Sequence, residues 1–246
     1  MKNYINADLY RVFRRVPRWI WLALVFAVIA VFFWPSSNDE STIIELIDLL
    51  EQVLRYVPVY IGFIEIIYVF GDDFAGKTAQ IAIGTGVKRR QVILAKWFEL
   101  LIVTAFDVVI ISTIALVLSV IHSHSLPAEL IVDIIVHIIM SVFATGAYIS
   151  LVFPIMFAMQ NITVAFLIYI MISSGAINKL IGLLGNIKIL RRIGIENYTL
   201  TNCLTVFRTR LILGSIKIES VLGIILYVGL ALWLTYKVYK NRELEF

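Results

Sequence analysis

The sequence predicts an all-α polytopic membrane protein with six transmembrane helices, an N-terminal amphipathic helix ahead of them and one helical hairpin on the cytoplasmic side. Three observations carry that prediction. The 246 residues are 61% hydrophobic and 15% charged, with a mean hydropathy of +0.93, values foreign to a soluble domain. Six apolar runs approach or exceed the roughly twenty residues that cross a hydrocarbon core. Basic residues gather at alternate ends of those runs, as the positive-inside rule expects. No internal repeat or low-complexity linker divides the chain, so residues 1–246 are expected to form a single membrane domain.

Residues 1–17 make the amphipathic helix. Ile5, Leu9, Val12, Phe13 and Val16 recur at helical spacing, opposite Arg11, Arg14, Arg15 and Arg18. Such a helix suits the membrane surface, its arginines facing anionic lipid headgroups. Pro17 marks the bend into the first span. A charged start before an apolar run also fits a signal peptide, but Trp34-Pro-Ser-Ser offers no small-x-small cleavage site, so the first span is expected to be retained.

The spans are residues 18–34, 54–70, 98–121, 131–157, 162–184 and 221–239. Pro35 to Glu40 closes the first, and residues 43–52 lead helically into the second. His122-Ser-His-Ser-Leu-Pro127 ends the third, and Gln160-Asn161 turns the fourth into the fifth. An even number of spans puts both termini on one side. That side holds Lys2, Arg11, Arg14, Arg15 and Arg18 at the start, Lys77, Lys88, Arg89, Arg90 and Lys96 after the second span, and Lys237, Lys240 and Arg242 in the tail. It is therefore the cytoplasm. Arg55 alone occupies the first two outer loops. The loop of residues 185–217, with Lys188, Arg191, Arg192, Arg208, Arg210 and Lys217, runs against the rule and is kept outside because the first span and nearest loops dominate.

Between spans two and three, residues 71–97 form the hairpin. Gly71 to Thr78 fits the pattern glycine-x4-glycine-lysine-threonine of a phosphate-binding loop, but a working loop follows a buried strand within a soluble α/β domain. Fewer than thirty residues separate the two spans, and Asp72 and Asp73 stand where a phosphate needs bare amides. The layout is instead helix, glycine turn, helix. Asp72 or Asp73 caps a short helix from Phe74 to about Ile83, Gly84-Thr-Gly86 stops it, and a second helix runs from near Val87 through Trp97 into the third span. Phe74, Ile81 and Ile83 with Lys77 and Gln80 interleaved make a short, part-apolar helix suited to the groove of another protein.

The amphipathic N-terminal helix, the charged helix-turn-helix after span two, the six spans and the long outer loop before span six together resemble the permease subunits of ABC-2-type exporters. Asp73-Phe-Ala-Gly76-Lys-Thr78, followed some ten residues later by Lys88-Arg89-Arg90, is similar to a segment of small bacterial permeases in that family, among them phenol-soluble-modulin and lantibiotic exporters. The resemblance implies a bacterial plasma-membrane protein whose N-terminal helix is an elbow and whose hairpin carries a coupling helix. It further implies a permease homodimer, with each protomer docked onto a separate ATP-binding subunit that holds ATP and Mg. The docking residues would be Asp73, Phe74, Lys77, Thr78, Gln80, Ile81, Ile83, Lys88, Arg89 and Arg90. No cofactor is expected on this chain. Short re-entrant helices before span six are implied as well, within residues 199–216.

Ionisable groups at membrane depth are costly and therefore candidate functional residues. Glu65 lies in span two and Asp107 in span three, neither with a basic neighbour in sequence. They either flank a path for cationic amphipathic cargo or make polar contacts within the bundle. Asp133 and His137, four apart on one helix face, suit a pair. Catalytic and metal-binding readings find little to stand on. Cys203 is the single cysteine, His122 and His124 lack further ligands, and no histidine follows Ser173-Ser174-Gly175. The basic clusters lack interleaved stacking aromatics, so nucleic acid is not an expected partner. Export of amphipathic, antimicrobial or toxin peptides driven by a partner's ATP is the principal expectation. The alternative is an ion-gradient-driven secondary transporter using Glu65 and Asp107. It predicts broken helices within the spans, whereas the glycines cluster at span ends.

Overall fold

A computed structural model describes residues 2–32, 40–76, 78–123, 128–185 and 195–240. They fold into α1 (Lys2–Phe13), α2 (Val16–Phe32), α3 (Glu40–Ala75), α4 (Thr78–Gly84), α5 (Arg89–Ser123), α6 (Ala128–Met159), α7 (Ile162–Ser173) and α8 (Ala176–Gly185). A 3-10 turn (Ile195–Tyr198), α9 (Leu200–Ile212) and α10 (Ile218–Lys240) complete the chain. No strand occurs among the described residues.

Three helical stretches among the described residues are long and apolar enough to cross a membrane: Arg89–Ile114, Ile134–Met159 and Ile218–Lys240. α7 and α8 make a fourth if their 59° bend at Ser174-Gly175 lies within one span. Val16–Val28 is a shorter apolar helix, and the second expected span falls inside α3.

α6 is the centre of the bundle, packed by α3, α5, α7, α9 and α10. Ala147, Ile149, Val152, Phe153 and Met156 are buried there. In lipid, helices associate by close packing rather than by escape from water, and small residues permit it. A methyl added at Gly62 of α3 would meet the Tyr169 ring of α7, and one at Gly146 of α6 would meet Leu101 of α5. The Tyr169 hydroxyl donates to the Pro58 carbonyl, which pins α7 to the proline-bearing part of α3. At the hairpin end, Phe70 meets Phe153 edge-on at 5.4 Å and Phe157 meets Tyr239 at 4.9 Å, joining α3, α6 and α10. Phe98, Ile102, Phe106 and Val109 form an exposed stripe on α5, as do Leu222, Ile225, Leu226, Leu230 and Trp233 on α10. Helical stripes of that kind suit acyl chains.

Local chemistry fixes the boundaries. Pro17 sits in the first turn of α2, where its missing N–H costs no helical bond. Asn161 caps α7 by accepting from Thr163 N (2.9 Å) and Val164 N (3.2 Å), making the expected turn after α6. α4 ends in a Schellman motif: Gly86 has φ +100°, Gly86 N donates to Ile83 O, and Val87 N donates to Ala82 O.

Candidate functional site

The site is the junction of α1, the end of α3, α4 and the start of α5. α3 runs on through Asp72 and Asp73 to Ala75, so the short helix starts at Thr78 rather than Phe74. The expected capping role of Asp73 changes accordingly. Its carboxylate accepts from the Thr78 hydroxyl across the α3–α4 corner and meets Arg11 at 3.0 Å and Lys96 beside it. Lys96, 1% exposed, also pairs with Asp8 at 2.6 Å and Glu99 at 3.1 Å. Arg11 meets Asp8 at 3.4 Å and reaches the Val69 carbonyl. One ionic cluster thus ties three helices and the foot of α4 together.

Three carboxylates and two cations meet there in direct contact. Buried charges persist only when paired and hydrogen-bonded, so each member holds the others in place. Tyr4 covers the cluster, its ring 5.7 Å from Lys96 Nζ. Burial first, then the carboxylates of Asp8, Asp73 and Glu99, push its phenol above the usual range, and it stays neutral.

A second buried ion pair lies one layer deeper. Arg18 is 1% exposed and its guanidinium pairs with Asp107 of α5, packed over the Phe13 ring at 4.4 Å. Glu65 of α3 lies beside Asp107. Arg18 therefore faces the bundle and not lipid headgroups, and it supplies the basic partner that Asp107 lacks in its own sequence neighbourhood. Arg14 is exposed over Tyr10, while Arg15 is half-buried within electrostatic reach of Asp73.

The expected docking residues separate into two groups. Ile81 is 58% exposed, with Lys88 and Arg90 also on the surface. Gln80 is buried and Ile83 packs against the core. Arg89 donates to the carbonyls of Tyr239 and Lys240, capping the C-terminus of α10. Its role in the fold is structural. Lys77 and the side chains of Phe74, Asp133 and His122 lie outside the described residues, as do His124, Lys188, Arg191, Arg192 and Arg242.

Sequence reasoning missed Asp8 and Glu99. Glu99 stands three residues after Lys96 on a helix, a spacing that signals a pair. Asp8 stands three before Arg11 on α1 and carries the same signal.

A family model described as ABC-2 family transporter protein matches residues 8–222. The chain belongs to the ABC-2 transporter family. This ABC-2 protein is accordingly a multi-pass membrane component of an ABC transporter, and membership implies an ATP-binding partner. The matched region contains the whole ionic junction. Comparisons with curated proteins and with solved structures returned no match.

Proposed function

We propose that the chain is the permease subunit of an ATP-driven exporter and that its ATP-binding partner docks on the exposed side of α4. One observation carries the reading: α4 shows Ile81 to the outside while its foot is locked, through Thr78 and Asp73, to α1 and α5. A force on Ile81 passes into buried ion pairs instead of dissipating in a loop. Lys88 and Arg90 are exposed just after α4 and suit an acidic rim on the partner. In this reading α1 is the elbow, α4 the coupling helix, both termini are cytoplasmic, and six spans cross a bacterial plasma membrane. Two permeases and two ATPases form the working unit, exporting amphipathic, antimicrobial or toxin peptides.

The gradient-driven reading draws on the Glu65–Asp107 pair and on the 59° break between α7 and α8. Transporters of that kind use matched broken helices, and the described residues hold one such break. The exporter reading is preferred on that ground.

Co-expression of the chain with its ATP-binding subunit, followed by ATPase assay in nanodiscs, is the test. A stable complex is expected, with its association lost in Ile81→Asp and its activity falling to that of the isolated ATPase. Hydrolysis by the permease alone would return the Gly71–Thr78 loop to consideration and overturn the reading.

A further inference from the structure

Glu65 stands apart from the ion pairs described above. It is 1% exposed, both of its side-chain oxygens are enclosed, and neither accepts a hydrogen bond. Ten residues before Ala75, it lies roughly 15 Å along α3 from the hairpin end. A charge at such depth is costly unless a partner compensates it.

The groups that face Glu65 come from four helices. α5 brings Asp107 within hydrogen-bonding reach and Glu99 within electrostatic reach, and α2 brings Arg18. Tyr68 of α3 itself and Tyr169 of α7 are also close enough to interact. The donors among them are engaged elsewhere or stop short. The Arg18 guanidinium is on Asp107, and its Nε and Nη1 make no hydrogen bond. Tyr169 gives its hydroxyl proton to the Pro58 carbonyl.

That arrangement has a definite chemical meaning. Ionised carboxylates only accept, so Glu65 and Asp107 can bond to one another solely through a proton. Arg18 decides which of them carries it. The guanidinium stabilises charge on Asp107, and Glu65, which has no ion pair, is left to hold the proton and donate it. A metal ion is the poorer occupant. It needs several ligating side chains, and no group of three or more His, Cys, Asp or Glu that could hold one occurs among the described residues.

We propose that Glu65 and Asp107 form a proton-binding site, with the acid on Glu65, and that the bound proton ties α3 to α5 at membrane depth. Arg18 extends the tie to α2. The proton is then a structural ligand of the bundle, and its loss would set two negative charges against the one guanidinium. The site belongs to the permease alone and does not depend on a partner at α4.

Infrared spectroscopy of the purified full-length permease in nanodiscs at neutral pH tests it, because a carboxylic acid has a carbonyl stretch that a carboxylate lacks. The wild type is expected to show that band, to shift it when glutamate carboxyls are isotope-labelled, and to leave it in place when aspartate is labelled. Glu65→Gln should remove the band. Glu99→Gln should keep it, since Lys96 already holds that group as a carboxylate. Melting temperatures test the tie. Glu65→Gln retains a neutral donor toward Asp107 and should match the wild type, whereas Glu65→Leu removes the donor and should melt several degrees lower. A wild type without a glutamate band, or a band that survives Glu65→Gln, overturns the proton site. Equal melting losses in Glu65→Gln and Glu65→Leu would mark Glu65 as a charge paired with Arg18 and overturn the tie. The labelled wild type needs no variant, so misfolding cannot imitate its result.

Discussion

Asp73 and Lys96 are the residues on which the junction turns, each paired with several oppositely charged neighbours. Their contributions are unequal because carboxylates outnumber cations there. Lys96→Met takes from Asp8, Asp73 and Glu99 the cation they share, and a broken buried pair of this kind costs about 3–5 kcal/mol. Glu99→Gln keeps the shape and leaves Asp8 and Asp73 on Lys96, so the melting temperature should fall less than in Lys96→Met. Thermal unfolding of the two variants beside the wild type checks the order, and a larger loss in Glu99→Gln would contradict that ranking. The sequence displayed these residues without displaying their partners. Arg18 reads as one more arginine on a polar face, because the 89 positions that separate it from Asp107 are closed only by the packing of α2 on α5. Periodicity identifies the face of a helix; it carries no information about which distant helix that face meets.

Elements were more legible than contacts. The amphipathic start, the Gln160-Asn161 turn and the glycine stop after Ile83 rest on local chemistry, and all three occur where composition placed them. The start of α4 did not, since Asp72 and Asp73 resemble caps while tertiary pairing to Arg11 and Lys96 lets α3 continue through them. The 59° bend between α7 and α8 within the expected span of residues 162–184 was not legible, because an apolar run does not report direction. Two glycines make testable claims at this scale. Gly86→Ala meets no atom within 4 Å, so its cost is the left-handed backbone alone, about 1–2 kcal/mol. Gly62→Ala drives a methyl into Tyr169 and should cost about 1–3 kcal/mol through overpacking. The first should be indifferent to Tyr169→Phe. The second should be partly relieved by it, since the hydroxyl is the nearest atom, and a double-mutant cycle on melting temperatures separates the cases.

For the whole molecule, the family match and the apolar helices make this a membrane component of an ABC transporter, and the proposed division of labour follows from where polar groups are kept. Charged pairs hold the hairpin end, and close approaches at Gly62 and Gly146 hold the middle. Reversing the charge of Lys88 and Arg90 to Glu should weaken capture of the ATP-binding subunit in a co-purification while leaving the permease's stability within about 0.5 kcal/mol of the parent, as exposed substitutions do. Arg89→Ala should do the opposite, loosening the α10 terminus that it caps and lowering stability first. Loss of the complex in both, with stability unchanged in both, would remove the distinction between Arg89 and its neighbours. The junction also has an order in time. Asp8 and Arg11 leave the ribosome first, Asp73 follows with α3, and Lys96 arrives with the next helix. The Arg11–Asp73 bond therefore needs only the first three helices, and the junction is complete only when α5 brings Lys96 to it.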